Sequence, residues 1–182
     1  MTIPRLLFMA KVAPAVRHHI EGALAQLRLD WRLGNDLFPP DNWHQTLSDR
    51  YEDTPEMSAR LQRAGARISA HAFTLWLNKI GGREYWSVFA QAKPREFMNL
   101  LAAVQDGVMR EGLNGGGLHT PHVSVSYNAP EPLPPLTITP IRWHIDEVLL
   151  VRGCGDGPNY HYEVIARWDL LPALADQQQP LF

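Results

Sequence analysis

Cysteine is nearly missing from this chain: among 182 residues there is one, Cys154. A single thiol cannot build an internal disulfide framework and gives no cysteine-based zinc site; it is compatible with a reducing compartment. Long apolar runs are missing too. The apolar run Leu6 to Ala10 stops at Lys11, shorter than the roughly 7–15 residues of a secretory core. Nothing approaches the roughly 18 apolar residues of a membrane span. The reading is a cytoplasmic protein with no membrane partner. There is no excess of positive charge: 17 Lys and Arg stand against 19 Asp and Glu, a formal charge of −2. That removes the broad positive field by which proteins hold duplex DNA. A small local anion site stays open.

With 45% hydrophobic and 20% charged residues, the chain has an ordinary globular composition and the length for one domain with a sizeable core. RLLFMAKV (5–12) reads as a buried strand. Val16, Ile20, Leu24 and Leu27 recur at helical spacing, so 14–29 reads as a helix opened by Pro14. WHQTLS (43–48) is a strand candidate, and Thr54-Pro55-Glu56 is a helix start. AFTLWLNKI (72–80) and EYWSVFAQA (84–92) flank Gly81-Gly82 as a hairpin. A third helix spans 94–111. HVSVSY follows as a strand, 129–140 reads as a proline-rich loop, and 142–152 and 160–170 read as the last strands.

Helices interspersed with hairpins predict an α+β fold with largely antiparallel sheets and outer helices, not a doubly wound one. Two halves are visible, each with a helix, strands and one His-x-(Thr/Ser) strand. No long linker divides them. The expectation is a single two-lobed domain over 1–172 with a central groove, and a frayed tail over 173–182.

The two strands NWHQTLS and TPHVSVSY carry the chemistry. On a strand, residues i and i+2 share a face. His44 therefore projects with Thr46, and His122 with Ser124. An imidazole and a hydroxyl pointing the same way are poor core material and good material for a polar cleft. By spacing alone, histidines that merely pack or bind water on a sheet face remain an equal reading. His119, three residues before His122, has no third ligand at supporting spacing for a metal. His18-His19 sits on a helix, facing solvent on one side.

With HQTL (44–47) and HVSV (122–125) in order, the chain resembles the two-histidine (2H) phosphoesterases. It is most similar to their bacterial RNA 2′,3′-cyclic phosphodiesterase branch, also called 2′-5′ RNA ligase. The flanks agree: RLLFMAKVAPAVRHHI is similar to the first strand and helix, DNWHQTL and TPHVSV to the approaches to the two motifs, and DEVLLVR and YEVIARWDL to the closing strands. The resemblance covers about residues 5–170. It implies two pseudo-symmetric lobes with one motif each, no metal and no cofactor. It implies His44 and His122 as acid and base in the hydrolysis of a cyclic phosphate, with Thr46 and Ser124 on the phosphate oxygens, and in reverse a 2′-5′ ligation. The implied partners are RNA or nucleotide ends bearing a cyclic phosphate, taken by a monomer. Two other readings stay beside it: a hydrolase of a small cyclic phosphate derived from a nucleotide or ADP-ribose, and a module that binds RNA ends without turnover.

The chain departs from the pattern in two places. SDR (48–50) follows motif one where the family often has Phe-Leu-Gly. Tyr127 stands where close relatives often carry an arginine five residues after the second motif histidine. Arg50 and Arg152 are the candidate replacements for that charge. Phe38, Tyr85, Trp86, Tyr127 and Tyr160 are the candidate rings for stacking a base, with Trp86 and Tyr127 named as substrate contacts.

Overall fold

The computed structural model describes residues 5–117 and 119–175. The end of the expected tail, 176–182, lies outside the described residues. The architecture is α+β; among the described residues, two antiparallel sheets carry four α-helices.

The first sheet is built on β1 (Arg5–Lys11), which pairs β2 (His44–Thr46) and β3 (Tyr51–Glu52) along one edge and β8 (Glu147–Cys154) along the other. Strand β9 (His161–Asp169) closes the far side of β8. The second sheet has the order β6-β5-β4-β7, from β4 (Phe73–Gly82), β5 (Trp86–Ala90), β6 (His122–Ser126) and β7 (Leu133–Ile145).

The helices form where periodicity and caps coincide. Helix α1 (Pro14–Gln26) has proline in its first turn and buries Val16, Ile20 and Leu24. Helix α3 (Pro55–Gly65) is capped by Thr54, whose hydroxyl accepts from the Met57 amide at 3.1 Å. Helix α4 (Arg95–Arg110) buries Phe97, Leu100, Leu101, Val104 and Val108 along one stripe. One core joins these stripes to the inner faces of both sheets, with Phe8, Trp43, Trp86 and Trp143 almost fully buried. At about 1.5–3 kcal/mol for each large apolar side chain buried, this core is the main source of stability.

Three expectations need correction. The helix expected over 14–29 stops at Gln26, because Arg28 takes a left-handed conformation (φ 55°); a short α2 (Leu29–Leu33) then starts on a new axis. The stretch 129–140, read as a loop from its prolines, is strand from Leu133 onward. Strand β7 pairs only with β4, so it is an edge, and Pro134 and Pro135 leave no inner ladder bond unmade. The run 142–152, read as one strand, is two. Ile145 ends β7 in the second sheet and Glu147 begins β8 in the first, so the chain changes sheets at Asp146. Among the described residues, no helix is long and apolar enough to cross a membrane.

Candidate functional site

The two motif strands are the edges of their sheets: β2 closes one side of the first, β6 one side of the second. Their burial alternates as the pleat demands. His44 and Thr46 are half-buried around a fully buried Gln45; His122 and Ser124 are half-buried beside buried Val123 and Val125. Lys11 lies opposite His44 and Met9 opposite Thr46 across the ladder, so these four share a face. That face continues into a small apolar floor of Leu7, Met9, Leu149 and Val151, with Tyr162 packed on it.

The two imidazoles are held in the same way. His44 Nδ1 lies 2.7 Å from the carbonyl of Asn42, and His122 Nδ1 lies 2.7 Å from the carbonyl of Thr120. A carbonyl only accepts, so each Nδ1 carries the proton and each Nε2 keeps its lone pair when the ring is neutral. Tyr162 packs edge-on to His44 with ring centroids 5.0 Å apart, and Phe89 lies 5.9 Å from the His122 ring.

Gln45 ties the motifs together. Its side-chain oxygen accepts from the His122 amide at 2.7 Å. Its Nε2 donates to the Thr46 carbonyl at 2.8 Å and, more weakly, to the Thr120 carbonyl at 3.5 Å. That second carbonyl is the one that holds His122 Nδ1. The Phe38 amide adds another tie, donating to the Val125 carbonyl at 2.9 Å. The residue behind motif one is thus a hydrogen-bonding partner of motif two. A polar residue at a core-facing position needs a partner, and that was the signal for Gln45 in the sequence.

The electrostatics separate His44 from ordinary histidines. Burial pushes its pKa down to about 4, against the Asn42 bond, which pulls upward. The positive charges of Arg50, His122 and Lys11 push in the same direction as burial. The two imidazoles are therefore close enough for charge on one to be felt by the other. Burial, then the neighbouring Tyr160, raises the Tyr162 phenol, so it stays protonated.

A cavity of about 270 Å³ opens beside these groups, lined by Phe38, His44, Arg50, Ser124, Tyr127 and Tyr162, among others. Of the residues singled out from the sequence it gathers His44, Ser124, Arg50, Phe38, Tyr127 and Tyr160, whereas His122 and Thr46 are not among its lining residues. Phe38 and Tyr127 meet edge to face at 4.7 Å, and Tyr85 packs on Tyr127 at 5.3 Å. Tyr160 also lines the cavity. Ser87 Oγ donates to Ser124 Oγ at 3.3 Å, which leaves the Ser124 proton free to point elsewhere.

Of the expected substrate contacts, Trp86 and Arg152 also fall elsewhere. Trp86 is fully buried and its indole N–H donates to the Glu131 carbonyl at 2.9 Å, so the ring is core and not a groove platform. Arg152 is held bidentate by Asp53 at 2.6 and 3.2 Å and does not line the cavity. Arg50 does line it, and Lys11, beside His44 on the same face, is a second nearby cation. Lys11, Asn42 and Tyr162 were not singled out from the sequence, because only the fold brings them to the motifs. His119 keeps a buried Nε2 with no partner. Among the described residues, one group of three could hold a metal ion: Cys154, His161 and Glu163, on the β8–β9 hairpin and outside this cavity.

Solved structures share the fold. E. coli LigT in complex with 3′-AMP superposes with a TM-score of 0.76 at 21% identity, over 91% of this chain and 97% of that one. Its apo form gives 0.75 at 24%, over 93% and 99%. A crystal structure of a phosphoesterase gives 0.70 at 23%, again over 93% and 99%. TT0787 of Thermus thermophilus gives 0.68 at 20%, over 91% and 97%. No protein-family model and no curated protein sequence matches the chain. The likeness establishes the two-lobe fold; the chemistry rests on the residues.

Proposed function

We propose that this protein is a two-histidine phosphoesterase that opens 2′,3′-cyclic phosphates on RNA or nucleotide ends without a metal, and that the same groups run the reverse 2′-5′ ligation. The observation that carries the reading is the matched pair of imidazoles. They sit on the facing edges of two sheets, each with Nδ1 tethered to the carbonyl two residues back. E. coli LigT, which shares the fold, has been crystallised with 3′-AMP, ATP, NADP⁺ and phosphate, in keeping with a nucleotide ligand here.

Hydrolysis needs a proton taken from water as it attacks phosphorus and a proton given to the departing ribose oxygen. His44 is kept neutral by its surroundings, so its free Nε2 is the base. His122 then donates to the leaving oxygen. Thr46 and Ser124 donate to the non-bridging oxygens, where charge builds up. Arg50 supplies the positive charge that Tyr127 cannot, and the ring cluster of Phe38, Tyr127 and Tyr160 stacks one base. A cavity of about 270 Å³ suits a single nucleoside end.

The test is turnover of 2′,3′-cyclic nucleotides and of a cyclic-phosphate-ended oligonucleotide in the presence of a chelator. Hydrolysis of either supports the reading, and their ratio separates RNA ends from small substrates. Tight binding of both with no turnover replaces it with an end-binding module.

Two further outcomes follow from the geometry. Rising pH should switch kcat/KM on through an acid limb near pH 4, as His44 loses its proton. Arg50→Gln removes one of the charges that depress His44, so its limb should move to higher pH. A limb that stays put, or moves down, in the pH–rate profile contradicts His44 as base. Gln45→Leu leaves the His122 amide without its partner, a cost of about 1–3 kcal/mol for a buried group. It also frees His122 to shift, and misplacement of about 1 Å can cost 10²-fold in rate. The expected result is a fall in kcat with KM nearly unchanged. Steady-state kinetics alongside urea denaturation separate the two effects.

A further inference from the structure

We propose that Cys154, His161 and Glu163 form a zinc site on the outer face of the hairpin that walls the groove. The hairpin register creates it. Cys154 pairs directly with His161 across the β8–β9 ladder, and Glu163 lies two residues further along β9, so all three side chains share one face. Their ligand atoms all lie within 4.8 Å of one another. A tetrahedral zinc ion would want its donors roughly 3.5 Å apart. The closure is about an ångström, within reach of exposed or half-exposed side chains by small rotations.

Three features fit a metal. First, His161 Nδ1 is bonded to the Asn159 carbonyl at 2.9 Å, which places the free lone pair on Nε2, 3.9 Å from Glu163 Oε1. A ring nitrogen tied to a backbone carbonyl is the usual support of a metal-binding histidine. Second, one sulfur, one imidazole and one carboxylate is a donor set that suits zinc over magnesium or calcium. Third, the local charge favours a cation. Arg152 lies 3.7 Å from Glu163, but both its Nε and Nη2 are bonded to Asp53. Asp53 and Glu163 together outweigh Arg152 by one negative charge before the thiol ionises. On binding, the Cys154 thiol gives its proton to solvent and a Zn–S bond takes its place; water fills the fourth position.

The site is separate from the catalytic reading and does not depend on it. It lies on the opposite face of β9 from Tyr162, which packs on His44, and pinning the Cys154–His161 pair would fix the turn that carries Gly157 and Tyr160 into the cavity. A count of cysteines misses such a site, because its ligands are brought together by a hairpin and not by sequence spacing.

The experiment is a Zn²⁺ titration of the full chain against a chromophoric chelator, repeated with Co²⁺ to look for thiolate-to-cobalt charge transfer. The expected result is one equivalent bound with a Kd of about 10 µM or tighter, with the cobalt band present. Cys154→Ser should abolish the band, and Cys154→Ser and His161→Ala should each weaken binding at least tenfold, with melting temperatures of the metal-free variants unchanged. Binding should survive in His44→Ala and His122→Ala. Binding weaker than about 100 µM overturns the proposal. So does an affinity unchanged in Cys154→Ser, or binding that disappears with the groove histidines and so belongs to them.

Discussion

Alanine at His44 or at His122 is expected to lower kcat/KM for a 2′,3′-cyclic phosphate by about 10²–10⁴-fold each, the usual contribution of one positioned acid or base. The two act on one proton circuit, so the double variant should be little slower than the worse single one. A fold defect could mimic the loss, and the linkage of His44 to folding tells the two apart. Its folded pKa, about 4, lies below the value of about 6.5 for an unfolded histidine. Between those values the unfolded chain takes up a proton that the folded chain refuses. Stability that is intact above pH 6.5 is therefore lost as pH falls toward 4, by on the order of 3 kcal/mol. His44→Ala has no imidazole to protonate. It should lose activity yet resist acid better than the parent, as followed by urea denaturation at pH 7 and pH 4.5. An alanine variant that keeps a tenth of the parental rate removes His44 from the mechanism. One that is as acid-sensitive as the parent shows that burial does not hold this ring neutral.

The parts of the site legible in the sequence were those that depend on alternation within one strand. His44 with Thr46, and His122 with Ser124, follow from the pleat alone, and the burial pattern repeats it residue by residue. What could not be read is what crosses between strands. Gln45 and His122 are far apart along the chain, and nothing local announces that the amide of one meets the backbone of the other. Tyr162 reaches His44 only because β9 lies in the same sheet as β2. The misread elements have local causes. Prolines argue against a strand, and the argument fails on an edge, where β7 lies. Leu27 extends the helical spacing, but Arg28 breaks the helix by conformation and not by composition.

Trp86→Ala is expected to destabilise the protein by about 3–5 kcal/mol, the cost of deleting a fully buried tryptophan, and to leave KM unchanged per folded molecule. The sequence offered this ring as a base-stacking contact, and the two roles make opposite predictions. Trp86 lies on β5 opposite Ser126 of the motif strand, with no exposed surface. Its N–H donates to the Glu131 carbonyl, and the Arg32 guanidinium sits 4.8 Å above the ring while also pairing with the Glu131 carboxylate. Arg32 belongs to α2, the short helix the periodicity did not announce. The indole thus fastens α2 and the loop before β7 to the second sheet, behind the strand that carries His122. Truncation empties the core, leaves the Glu131 carbonyl without its donor and removes the ring beneath Arg32, whose ion pair with Glu131 remains. Trp86→Phe keeps most of the apolar volume and loses only the N–H bond, worth about 1 kcal/mol. It should therefore recover most of the stability and all of the activity. A Trp86→Phe protein that is fully stable but has a raised KM would put the ring back in the groove, against its burial. Thermal unfolding and steady-state kinetics on the two variants decide the matter.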